Sequence, residues 1–423
     1  MGCSGSTTSL YHKHELTSSS KRNHYKCDGC GRRSRQHPEF LSPGGRFACS
    51  VGCNFDLCGE RYALSSGTEA VESNEVTEVC NATTVVRSNL VQEAFARRKE
   101  GKELPKVGLD DFNVGRILGR GTFGQVSFAT HNVDGAHYAL KFKSKVQMLK
   151  MKQVDHSFNE KRIMGMISHP FVVSAYASAQ NERMLVFVFE CVTGGELFSR
   201  LRREGRFDLD VCRFYSAQVA NAFCYLHSKD IIHRNLKPEV VLIQPDGYCK
   251  LTSFIFAKCV DGGARTYTLC GTPDYLAPEV IMNKGHNKPV DWWALGILCY
   301  EMAAGYPPFF DDVPTGIYKK IMAGKITFSG PTSSSVLKGI VKLLLKANPA
   351  HRYYRGKDSN TPGFTQHKWF ESIDFNKLLR HELPAPMKPK MTDPLDLSNF
   401  DDYSNTLPEE SLSPGNEHLF AEC

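Results

Sequence analysis

The spacing of apolar positions changes along this chain, and each change marks an element. In "NLVQEAFARRKEGKEL", residues 89–104, Leu90, Val91, Ala94 and Phe95 recur at the three- and four-residue steps that place side chains on one helix face. The spacing predicts a helix lying on the domain that follows. Further along, "LGRGTFGQV", residues 118–126, sets Gly119, Gly121 and Gly124 between two strand-like runs. "YALK" then puts Lys141 on the next strand, and "HSFNEKRIM" reads as a helix carrying Glu160. Ahead of these elements, residues 63–88 are rich in Ser, Thr, Glu and Asn without a period, and read as linker. No uninterrupted apolar run approaches the roughly 18 residues of a membrane span, and no secretory signal heads the chain.

Composition narrows the class. The 423 residues suffice for a large domain plus smaller modules, and 41% apolar with 23% charged content describes an ordinary globular protein. A net charge of +7 suits a membrane surface or an acidic partner, but it is too diffuse for nucleic acid. Five of the fifteen cysteines cluster at Cys27, Cys30, Cys49, Cys53 and Cys58. Seven others, from Cys191 to Cys299, are scattered without pairing logic and read as small buried residues in a reducing compartment.

The first two modules are short. "MGCSGS" fits N-myristoylation at Gly2, with Ser6 at the favoured position and Cys3 open to palmitoylation. Two acyl chains hold a protein stably where one does not, and Lys13, Lys21, Arg22 and Lys26 would add attraction to an anionic leaflet. Residues 1–23 therefore read as an acylated terminus at the cytoplasmic face of a plasma, ciliary or endomembrane, the chain being cytosolic if unacylated. Residues 24–62 look like a zinc module. Cys27-x-x-Cys30 is the tight thiolate pair of a tetrahedral site, and Cys49, Cys53 and Cys58, with His24 and His37, supply further ligands. The wording resembles the ZZ type of finger, although Arg61 stands where a last cysteine is expected and Cys49 to Cys53 is one residue too long. One zinc ion is the expected complement.

The rest of the chain carries longer signatures. "TLCGTPDYLAPEVI" (268–281), "VDWWALGILCYEMAAGYPPFF" (290–310) and "SNFDDY" (398–403) join the glycine-rich run, Lys141 and Glu160. Together they make residues 89–403 resemble the AGC group of protein kinases, of the cAMP-dependent catalytic-subunit type. The resemblance implies an α+β, bilobal kinase fold: an N-terminal helix (89–104), a kinase domain (112–370) and a C-terminal tail (371–423), beside the small finger-like module. It implies that the glycines close over phosphates which the Lys141–Glu160 ion pair positions. Val126, Ala139, Leu242 and Thr252 would wall the adenine, and Phe400 would close over it; Phe189 stands at the back of that pocket. Lys237 matches the catalytic-loop lysine, Glu279 should pair with Arg352, and Asp291 should brace the loop. Thr268 matches an activation-loop phosphosite, its phosphate gripped by His156, Arg234 and Lys258 and added by an upstream kinase. Glu196, Glu239 and Glu301 match acids that bind arginines ahead of a target residue. Leu269, Pro273 and Leu276 match the pocket for the residue after it, and Tyr267 and Tyr318 the surface that meets a regulatory subunit.

Three positions depart from the family. Asn235 replaces the catalytic aspartate, Val240 the metal-holding asparagine, and Ser253 the main metal-binding aspartate. An amide is no base at neutral pH, valine offers no donor oxygen, and Mg²⁺ prefers carboxylates. Ile255 also replaces a glycine. The expectation from these residues is a membrane-tethered pseudokinase that binds a regulatory-subunit-like or pseudosubstrate protein without transferring phosphate. The alternative is an atypical serine/threonine kinase holding ATP without Mg²⁺. A third reading places the function in the cysteine module as a recognition finger. The final "FAEC" keeps Phe420 but puts Cys423 where a second aromatic is usual, so poor docking of the tail is expected.

Overall fold

The computed structural model describes residues 24–26, 33–35, 88–121, 124–352, 363–403 and 416–420. The chain divides into two units, residues 1–75 with 355–363, and residues 76–354 with 364–423. In the first unit, β1 (His24–Lys26) pairs antiparallel with β2 (Arg33–Arg35). Gly2, Cys3, Cys27, Cys30, Cys49, Cys53 and Cys58 lie outside the described residues, and with them the expected lipid and zinc sites.

The second unit opens with α1 (Asn89–Lys99), capped by the Ser88 hydroxyl, which accepts from Val91 N. Leu90 and Ala94 are buried as the spacing requires. The helix stops short of residue 104 because Gly101 takes a left-handed φ of +69°, letting Lys102 N bond Arg97 O and Gly101 N bond Arg98 O. That pair of bonds closes the helix end and satisfies its last carbonyls.

A five-stranded antiparallel sheet follows, in the order β3-β4-β5-β7-β6. Its strands are β3 (Phe112–Gly121), β4 (Gly124–His131), β5 (His137–Ser144), β6 (Ala175–Gln180) and β7 (Met184–Glu190). Alternate residues of a strand point to opposite faces, and both faces of β5 are covered. Tyr138, Leu140 and Phe142 join Leu90, Val186 and Val188 in one cluster; Ala139 joins Leu118, Leu185 and Phe187 in another. After α2 (Lys145–Lys150), α3 (Val154–Met166) packs on this second face through Ile163 and Met164, bringing Glu160 inside.

The larger lobe is helical. Nearly every residue of α7 (Pro289–Ala304) is buried, as expected of a helix apolar all round. It runs beside α5 (Leu209–Ser228), with α4 (Leu197–Glu204) before them and α6 (Pro278–Ile281), α8 (Pro314–Ala323) and α9 (Ser335–Leu344) completing the layer. Short antiparallel pairs hold the loops between the lobes: β8 (Ile231–Ile232) with β11 (Lys258–Cys259), and β9 (Val241–Ile243) with β10 (Cys249–Leu251). Among the scattered cysteines, Cys212, Cys249 and Cys299 are buried, and burial pushes the Cys299 thiol up to about 12.

The tail returns to the sheet. Arg116 donates to Leu397 O (3.1 Å) and Phe400 O (2.7 Å) and pairs with Asp402 at 2.7 Å. Poor docking of the chain end is corrected by Phe420, which is 1% exposed, 6.5 Å from the Phe158 ring and 5.1 Å from Lys145 Nζ. Gln180 donates to its carbonyl at 3.3 Å. One aromatic ring is enough to occupy the site between α2 and α3, so the family's second ring is not needed for contact. No described helix is long and apolar enough to cross a membrane.

Candidate active site

The site begins at the β3–β4 hairpin, where Gly121 opposes Gly124. A Cβ on Gly124 would stand 2.0 Å from Phe142 O, so no other residue fits, whereas Gly119 and Gly121 face open space. Val126 lies opposite Lys141, and Ala139 opposite Phe189. Phe189 is buried with its ring edge-on to Phe187 at 6.1 Å. Leu242 bridges to Glu196, and Thr252 N bonds Val240 O at 2.9 Å. Phe400 packs on the same core from the tail. Lys141 Nζ lies 2.7 Å from Glu160 Oε1, and a second lysine, Lys143, bonds Oε2. Burial alone would raise the Glu160 carboxyl; the two ammoniums overcome this and hold it at about 2.

The catalytic loop is shaped by Asp291, 1% exposed at the start of α7. Its Oδ2 meets His227 Nε2 at 2.8 Å and accepts from His233 N at 2.9 Å, while Oδ1 accepts from Arg234 N at 2.8 Å. Those bonds stabilise the left-handed φ of +64° at Arg234. Lys237 lies 3.5 Å from Glu239. Asn235 Nδ2 donates to Ser253 Oγ at 3.1 Å, and Ser253 also sits at φ +64°. Val240 and Ile255 are buried. A hydroxyl and an alkyl group thus occupy the places where the fold family holds a divalent ion, and an amide stands where it holds the catalytic acid. Mg²⁺ takes hard oxygen donors, carboxylates first. The donor set does not fit that ion.

On the activation segment, Thr268 is exposed, as are Leu269 and Tyr267. Its expected cations are held two residues earlier: Lys258 Nζ and Arg234 Nη1 reach Thr266 Oγ1 at 3.2 and 3.5 Å, and Thr266 is 3% exposed. His156 packs edge-on to Phe256 at 6.1 Å. The sequence reading missed Thr266. The signal was present in "RTYT", because an extended segment turns residues i and i+2 to the same side. Arg352 donates to both Glu279 oxygens, at 2.6 and 2.9 Å, and anchors the end of the segment.

Of the three expected peptide-binding acids, Glu239 lies close enough to Glu196 and Glu301 to raise both. Burial, then Glu239 and Asp401, push the Glu196 carboxyl up to about 7. Burial also pushes Glu301 up to about 7 against the Tyr275 hydroxyl, which donates to it at 2.5 Å; Glu239 adds to the rise. Tyr275 was another residue missed. Leu276 lines a small cavity with Asn235, Leu236, Gly271 and Tyr275, whereas Leu269 stands outside it. Pro273 begins the short turn leading there, and Tyr318 is partly buried on α8.

Comparison with known proteins bears on the chemistry. The family described as Protein kinase domain matches residues 112–370. The human cAMP-dependent protein kinase catalytic subunit PRKX is 45% identical over 302 residues, 71% of this chain and 83% of that protein. A cAMP-dependent protein kinase catalytic subunit of Dictyostelium discoideum is 45% identical over 296 residues, and the chain spans only 45% of its length. A catalytic subunit-like protein of Caenorhabditis elegans is 38% identical over 378 residues, 86% of this chain. The human and Dictyostelium relatives are named catalytic subunits, which overturns the expectation of a pseudokinase that is no enzyme. The physical reason is that phosphoryl transfer asks little covalent work of the protein beyond positioning and charge. Asn235, Val240 and Ser253 change three side chains, but the positioning frame of Lys141, Glu160, Asp291 and the Glu279–Arg352 pair is complete. The chain belongs to the protein kinase family, among relatives of the cAMP-dependent catalytic-subunit type.

Proposed function

We propose that this chain is a serine/threonine protein kinase that transfers the γ-phosphoryl of ATP by an atypical, metal-independent route. The observation that carries the reading is the 2.7 Å Lys141–Glu160 pair beneath a hairpin whose Gly124 admits no side chain. In this reading the triphosphate lies under Gly119, Gly121 and Gly124, with adenine against Val126, Ala139, Leu242, Thr252 and Phe400. Lys141 and Lys237 supply the neutralising charge. The substrate hydroxyl attacks the γ-phosphorus while its bond to the β-phosphate oxygen breaks. In a loose transition state the attacking oxygen is scarcely bonded, so its proton leaves late and passes to a phosphoryl oxygen. Asn235 orients the hydroxyl but takes no proton, and that missing help is typically worth roughly 10²–10⁴-fold in rate. The enzyme is slow for that reason.

Glu196, Glu239 and Glu301 favour substrates with arginines ahead of the target, and a regulatory-subunit-like or pseudosubstrate protein would compete for the same acids. An upstream kinase supplies the Thr268 phosphate. Acylation of Gly2 and Cys3 holds the enzyme at the cytoplasmic face of a membrane, and Cys27, Cys30, Cys49, Cys53 and Cys58 hold one zinc ion. No nucleic acid is involved.

The test is transfer of labelled γ-phosphate to an arginine-rich serine peptide by the purified full chain, in Mg²⁺, in Mn²⁺ and in chelator. Incorporation that persists in chelator and vanishes in Lys141→Ala is expected. No incorporation under any of the three conditions retires the reading.

A further inference from the structure

Lys143 follows Lys141 by two residues on β5, so both side chains leave the same face of the sheet. Its ammonium bonds Glu160 Oε2 and donates to Ser157 Oγ at 3.1 Å, with the Phe187 ring centroid 5.2 Å away. Met148 lies just beyond, accepting from Ser157 at 3.0 Å. The lysine side chain is 1% exposed, in surroundings that would suit an apolar residue. A buried ammonium carries a desolvation cost that only a close opposite charge offsets. Here two lysines share one carboxylate, an oxygen each. Only Lys141 faces outward: its side chain is 21% exposed, against 1% for Glu160. If Lys141 turns to a bound phosphate, Glu160 still has a partner.

We propose that Lys143 is a positioning residue for the nucleotide: it holds Glu160 permanently, freeing Lys141 for the triphosphate. The second half of this proposal rests on the ATP-binding reading above; the sharing of Glu160 does not.

The experiment is a cycle on the full chain with Lys141→Ala, Lys143→Met and both together. Methionine keeps the stem and removes the charge, and Lys141 still pairs Glu160, so the variant should fold; failure to fold would overturn the proposal. Without nucleotide, each single variant should melt within a few degrees of the parent. The double variant should melt about 10 °C lower, because an uncompensated buried carboxylate remains. Additive single effects would refute the sharing. In chelator, Lys143→Met should weaken ATP binding roughly tenfold, because Lys141 must then leave Glu160 without a partner to reach a phosphate, and leave adenosine binding unchanged. Equal ATP affinity in parent and variant would refute the role toward the nucleotide. A parent that binds no ATP would instead refute the kinase reading, while the melting cycle, which needs no ligand, still decides who holds Glu160.

Discussion

Asn235 sits 3.1 Å from Ser253 and can be changed to a carboxylate without disturbing its neighbours, since Ser253 can donate to an acid as readily as it accepts from the amide. Asn235→Asp should therefore raise kcat by about 10²–10⁴-fold, the usual worth of a general base, with KM for the peptide little changed; steady-state kinetics decide it. A second residue-scale consequence concerns pH. The raised Glu196 carboxyl, at about 7, is largely protonated at pH 6 and ionised at pH 8. Arginine binding needs the carboxylate, so affinity for a basic peptide should fall several-fold from pH 8 to pH 6, and Glu196→Gln should flatten the profile. The sign for stability is opposite: a carboxyl whose folded value is raised destabilises the free fold as pH rises through the window from about 4.5 to 7. Peptide titrations and melting curves at the two pH values check both directions. Asn235, Val240 and Ser253 were legible as departures because long flanking motifs fix their register. Lys143 was not, because a lysine two residues past another reads as a solvated surface charge until the sheet is folded and both faces are covered.

Among the elements, α1, the sheet strands and α3 follow from spacing and turn chemistry that neighbours in the chain supply. The stop of α1 at Lys99 depends on Gly101, a signal local to the sequence. Docking of the chain end is different, since Phe420 meets Phe158 and Lys145 across more than two hundred residues. Phe420→Ala should empty that site at a cost of up to about 3 kcal/mol, at or below the low end for deleting a buried aromatic because this one closes a surface site. Hydrogen exchange of α3 should accelerate and the melting temperature should drop. Unchanged exchange in α3 would mean that the ring contributes no stability there.

For the whole molecule, the proposed acylation at Gly2 and Cys3 acts on location and not on the kinase domain. Gly2→Ala should move the protein from the membrane fraction to the soluble one, with peptide kinetics of the purified chain unchanged; retention at the membrane would place the anchor elsewhere. The kinase class of this chain was fixed by sequence alone: runs such as "TLCGTPDYLAPEVI" tie residue type to position too tightly to arise otherwise, and local spacing sets the helices and strands. What awaited the tertiary structure was which charges meet. Thr266 rather than Thr268 faces Lys258 and Arg234, Glu160 serves two lysines, and Glu196 and Glu301 are raised by burial and by Glu239. Electrostatic energy depends on distance and on exclusion of water, and both are set by packing between segments far apart in the chain.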